Sequence, residues 1–191
     1  LIQTGQIGPV RSVKADFGFR APFDPQSRLY DQALGGGSLL DIGIYPVFLA
    51  LLLLGKPAQI HALARFGPSG VDEENGILFR YEDGRMAHLH ATFQNRTKTE
   101  AFIYGEDGAI HLHTRWHEPS SFTLLREDHR PQDFRYQYSG NGYYFEAEEV
   151  MKCLTEGRRE SELLPLSFSL QLMEVLDAIR AEAGIRYDSD G

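Results

Sequence analysis

A single cysteine, Cys153, stands in a chain of 191 residues, so no internal disulfide can form. That usage fits a reducing compartment, and the cytoplasm is the expected location. Lysine and arginine number 19 against 27 aspartates and glutamates, a formal net charge of -8 with no basic stripe, which leaves nucleic acid without a surface to bind. Long apolar runs are also missing. Val47 to Leu54 is the longest, far short of the ~20 residues that cross a bilayer, and no basic-then-apolar leader opens the chain, so no membrane anchor is expected. Neither an internal repeat nor a low-complexity linker is found. The first residue is Leu1, and Ile7, Val10 and Val13 already approach a strand, so the start reads as an internal cut. With 42% hydrophobic residues the chain can build one substantial core, and one domain over residues 1–191 is expected.

What is present is mostly strand. Val13, Ala15, Phe17 and Phe19 alternate with Ser12, Lys14, Asp16 and Gly18, the period of a strand with one buried face. Short segments of strand character follow at 58–66, 76–81, 85–93, 99–104, 108–113, 121–125 and 134–138. Asp83-Gly84 and Asp107-Gly108 fall between two pairs of these runs and predict hairpins. Helical spacing marks three segments. The first runs from Ser38 to Gly55, with Ser38 and Asp41 spaced as a capping box. The second centres on Ala147, Val150, Met151 and Leu154, and the third runs from Phe168 to Gly184. Strands in a block with helices outside it predict an α+β fold, a large, mostly antiparallel open sheet with the helices on one face. Alternation places His61, His88, His90, His111 and His113 on the other face.

The segment Gly35-Gly36-Gly37-Ser38-Leu39-Leu40-Asp41-Ile42-Gly43-Ile44-Tyr45 resembles the G-G-G-x-L-x-D-x-G-x-[HY] signature of the Gfo/Idh/MocA oxidoreductases. Gly5-x-Ile7-Gly8, Gly105-x-x-Gly108-x-Ile110 and Asn141-Gly142-Tyr143 before Glu146 occur in the family's order, and the tail from Gly157 resembles the branch of dimeric dihydrodiol dehydrogenases. The resemblance implies the C-terminal, substrate-binding and oligomerising domain of an oxidoreductase that uses NAD or NADP. It also implies that the Rossmann domain, with its phosphate-binding glycine turn and Glu-Lys-Pro lysine, lies outside this sequence, and no glycine turn of that kind is found here. The implied substrate is a hydroxyl or ketone of a sugar, cyclitol or dihydrodiol; the implied partner is a second copy of the chain, through the open sheet face. A non-catalytic sugar- or nucleotide-sensing regulator on the same fold is the alternative.

Asp41 and Tyr45 are four apart, which places both on one helix face. The resemblance gives Tyr45 proton transfer or hydroxyl binding and Asp41 an electrostatic, orienting role; Tyr stands where many relatives have His. Read from the residues alone, Asp41 completes a capping box and Tyr45 is a half-buried aromatic with its hydroxyl on a backbone carbonyl. Arg28, Asn141 and Tyr143 are candidate substrate contacts by the same resemblance, and Gly36 and Gly37 permit close backbone approach. The His-x-His pairs 88/90 and 111/113 lack the Cys or HExxH partners of a zinc site, so no metal is expected.

Overall fold

The computed structural model describes residues 1–118, 121–137, 140, 142–187 and 190. Eight strands form one sheet: β1 (Val10–Gly18), β2 (Gln59–Phe66), β3 (Asp72–Arg80), β4 (Met86–Thr92), β5 (Ala101–Gly105), β6 (Gly108–Leu112), β7 (Ser121–Arg126) and β8 (Gln132–Arg135). Their order is β2-β3-β4-β1-β5-β6-β7-β8. Every pairing is antiparallel except β1 with β4, where Val13 faces Ala87 and Ala15 faces Leu89. The α+β architecture and open sheet anticipated from the pattern are observed. Both Asp-Gly segments turn as expected: Gly84 takes φ 85° and its N–H donates to Tyr81 O at 3.0 Å. At the β5–β6 turn the N–H of Asp107 donates to Ile7 O at 3.0 Å, so the opening residues of the chain tie down that hairpin.

β3 begins at Asp72, four residues before the segment expected from periodicity. Asp72, Glu73 and Asn75 are polar, which hid the strand, yet all three are buried and hydrogen-bonded. β8 ends at Arg135 rather than 138.

The helices are α1 (Ile44–Leu54), α2 (Tyr144–Thr155) and α3 (Leu166–Ala183). α1 is apolar nearly all round and buries Val47, Leu49, Ala50, Leu51 and Leu54. With Leu172, Val175, Leu176 and Ile179 of α3 these side chains share one core with Val13, Ala15, Ile77, Phe79, Ala87 and Leu89 of the sheet. The segment Gln32–Leu54 is long and apolar enough to cross a membrane by length and composition, but 61% of its most apolar window is buried in the protein. α2 departs from expectation. It buries Cys153 and leaves Tyr144, Phe145, Val150, Met151 and Leu154 exposed, so two helices rather than three cover the sheet.

Residues Leu39–Gly43 enter α1 as a π-helical turn. Pro46 in the first turn of α1 has no N–H to donate, and its ring would crowd the carbonyl of Ile42 in regular α geometry; the wider turn lies directly before it. The expected capping box does not form. Ser38 is itself in a helical conformation, and its hydroxyl donates to Asp72 Oδ2 at 2.9 Å. Asp72, from β3, accepts the Leu39 N–H at 2.7 Å and so performs the capping that the local sequence assigns to Ser38.

Candidate active site

Asp41 and Tyr45 open onto one cleft of about 580 Å³, floored by Ile44, Phe48 and Leu49 of α1 and walled by Leu112, Trp116 and His117 from the end of β6 and the segment after it. Glu146 of α2, together with Leu164 and Leu172, closes the far side. The aromatic wall is built on β1. Phe17 stacks on His117 with ring centres 4.4 Å apart, and both meet Tyr45 edge-on at 5.4 and 5.2 Å. Trp116 is held by its indole N–H, which donates to Asp16 O at 2.9 Å.

Tyr45 is 41% exposed, and its hydroxyl has no hydrogen-bond partner among the described residues. The backbone carbonyl expected for an ordinary half-buried tyrosine is not there, and the phenol is free for a ligand. Asp41 forms an ion pair with Arg28, whose guanidinium stands in solvent and is held even more firmly protonated by the hydrogen bond and charge of that carboxylate. The loop carrying Arg28 therefore reaches the cleft through Asp41 rather than by lining it.

Gly36 and Gly37 are buried. A Cβ on Gly36 would lie 2.8 Å from Leu29 O, and one on Gly37, at φ 127°, 2.3 Å from Asp72 Oδ1, so the close approach they permit is between parts of the protein. Tyr187 from the C-terminal tail donates its hydroxyl to Gly36 O at 2.8 Å, and burial pushes its pKa up to about 12. Asp72 has its pKa raised to about 6, mainly by burial, and beside it Asn75 supplies a further N–H at 3.2 Å. The strand, the tail and the Leu29–Asp31 loop thus converge on the turn that launches the Asp41–Tyr45 helix.

Tyr143 opens α2 and is exposed; the cleft takes Glu146, one turn on, from that helix. Asn141 lies outside the described residues. Trp116 and His117 had no signal in the sequence, because they follow a strand far from the glycine signature and are brought beside Tyr45 by the sheet order. Of the paired histidines, His90 lies 3.0 Å from Glu74, His111 3.3 Å from Glu100, and His113 contacts Ser121 and Thr123 at 2.7 and 2.8 Å. Among the described residues no three His, Cys, Asp or Glu side chains gather to hold a metal.

Comparison with known proteins places this geometry. The chain is 31% identical over 200 residues to trans-1,2-dihydrobenzene-1,2-diol dehydrogenase of Danio rerio, covering 100% of this chain and 58% of that protein. With the Mus musculus enzyme of the same name the figures are 30% over 193 residues, 97% and 57%. The chain thus spans little more than half the length of these relatives. Among solved structures, a 3-ketoreductase from Actinomadura kijaniata in complex with NADP and TDP-benzene superposes with a TM-score of 0.79 at 25% identity, over 95% of this chain and 56% of that one. Aldose-aldose oxidoreductase from Caulobacter crescentus, complexed with glycerol, gives 0.83 at 23% identity over 96% and 56%, and shares the fold. The family model described as GFO/IDH/MocA C-terminal domain matches residues 1–111, and the chain belongs to that family.

Proposed function

We propose that this chain is the substrate-binding half of an NAD(P)-dependent oxidoreductase that oxidises a hydroxyl, or reduces the matching ketone, of a sugar, cyclitol or dihydrodiol. The observation that carries the reading is the exposed, unpartnered Tyr45 phenol beside Asp41 at the mouth of an aromatic cleft. The relatives' names point the same way.

The described residues do not fit the dinucleotide itself. In the Gly35–Gly37 turn the N–H of Gly36 is bonded to Asp31 O and that of Gly37 to Leu29 O, each at 2.9 Å, and Asp72 takes the Leu39 N–H at the start of the helix beyond, so these three donors are engaged within the protein rather than open to a pyrophosphate. The cofactor, which exchanges the hydride when bound, would be held by the nucleotide-binding domain of the whole protein. What this chain adds is position and proton handling. Tyr45 holds the substrate oxygen and exchanges its proton, Asp41 with Arg28 fixes the charge beside it, and Phe48, Leu112 and Trp116 keep water from the reacting carbon.

In the full-length protein Tyr45→Phe should lower turnover by ~10²- to 10⁴-fold while cofactor affinity stays within about threefold, since the ring still packs on Phe17. A turnover loss below about threefold in steady-state kinetics would remove Tyr45 from the chemistry. Residues 1–191 alone should show no NAD or NADP binding in calorimetry, and a micromolar dissociation constant there would place a cofactor site on this chain.

The open sheet face is the proposed contact with a second copy. Leu63 is 82% and Leu78 42% exposed there, amid His88 and His90, a mixed surface suited to a partly polar two-fold interface.

A further inference from the structure

His117 lies in the cleft wall with its ring pressed on Phe17, edge-on to Trp116 and beside Tyr45. Stacking alone would be served by a phenylalanine. Instead the imidazole brings two nitrogens that make no hydrogen bond to any described residue, and Nδ1 is sealed from solvent without a partner. Buried polar atoms of that kind are costly and concentrate at functional sites. Burial, the main influence on the ring, lowers its pKa, so near pH 7 it is neutral and carries one N–H. An orphaned buried N–H is worse tolerated than an orphaned acceptor, so the proton belongs on Nε2, the nitrogen that is not sealed, on a ring that borders the cleft.

The cleft therefore holds two adjacent groups with a hydrogen to give, the Tyr45 hydroxyl and His117 Nε2–H, on rings whose centres are 5.2 Å apart. Both residues line the cleft, and rings this close suit a ligand that carries two oxygens on neighbouring carbons, each accepting one hydrogen bond of about 2.8 Å. We infer that His117 is a specificity-determining residue, donating to the oxygen next to the one held by Tyr45, so that the site selects vicinal diols and α-hydroxyketones over simple alcohols and ketones. The inference rests on the oxidoreductase reading for which oxygen reacts, but its first measurement is binding.

The test uses the full-length protein with trans-cyclohexane-1,2-diol and cyclohexanol as probes, titrated calorimetrically and then assayed with NAD and NADP. His117→Phe, which keeps the stack on Phe17, should weaken diol binding by about 10- to 100-fold and leave cyclohexanol within about threefold. His117→Gln, which keeps an N–H, should recover part of the diol affinity. Equal losses for both probes, no loss for either, or a wild-type protein that does not prefer the diol would each overturn the assignment. A diol preference that His117→Phe abolishes, in a protein that turns over neither alcohol, would retire the oxidoreductase reading while supporting the role of His117 in recognition.

Discussion

The two faces of the sheet are built from the same strands and the same alternation, yet they end in different surroundings. On one face Val13, Ala15, Ile77, Phe79, Ala87 and Leu89 meet α1 and α3 and are lost to solvent. On the other, Lys14, Asp16, Leu63, Leu78, His88 and His90 line a concave surface that no helix among the described residues covers. The covered face is uniformly apolar because its neighbours are apolar helices. The open face mixes leucines with imidazoles, and His90 lies 3.0 Å from Glu74. Burial makes the first face the source of stability. The second is left free to specify contacts, and the cleft lies on the covered side where α1 runs past the end of β6.

The sharpest break of that comparison is Phe79→Ala. Phe79 is fully buried between sheet and helices, and its truncation should cost about 3–5 kcal/mol in denaturant unfolding. A cost below about 1 kcal/mol would mean that the covered face is not the main core.

Asp72 gives the next largest effect, through pH. Its folded pKa of about 6 lies above the ordinary 3.8, so the folded state binds this proton more tightly than the unfolded chain does. The resulting stabilisation is complete below about pH 4 and is lost as the pH rises through 6, a swing of about 3 kcal/mol at most. Asp72→Asn should flatten unfolding free energy against pH over that window, relative to the wild type. An unchanged slope would show that Asp72 is not the titrating group.

The open face supplies the smallest expected effect on folding and the most specific one on assembly. Leu63→Ser should change the stability of the monomer by no more than about 0.5 kcal/mol. Leu78→Glu should leave the fold intact but halve the mass of the full-length protein in sedimentation equilibrium. A wild-type monomer at high micromolar concentration would end the proposal that this face pairs two copies.

Local pattern carried most of the architecture. The strict alternation from Val13 to Phe17, the Asp-Gly turns, and the helical spacing of α3 up to Gly184 are properties of adjacent residues, and each appears where the sequence places it. Asp41 and Tyr45, four residues apart, also had to share a face, and they do so across a π-helical turn that spacing could not announce. Tertiary structure decided the rest, through contacts between residues distant in the chain. Asp72 reaches back to cap the helix whose cap local spacing assigns to Ser38, because only the folded sheet brings β3 to that N-terminus. Arg28 meets Asp41 through a loop with no periodicity to read. α2, amphipathic in sequence, does not settle on the sheet, whose covered face is already occupied by α1 and α3. Trp116 and His117 join Tyr45 because β6 runs antiparallel to β5, β5 antiparallel to β1, and Phe17 waits on β1 to receive the imidazole. Periodicity acts over a few residues and was legible in one sequence; the pairing of strands about a hundred residues apart depends on the whole core and was not.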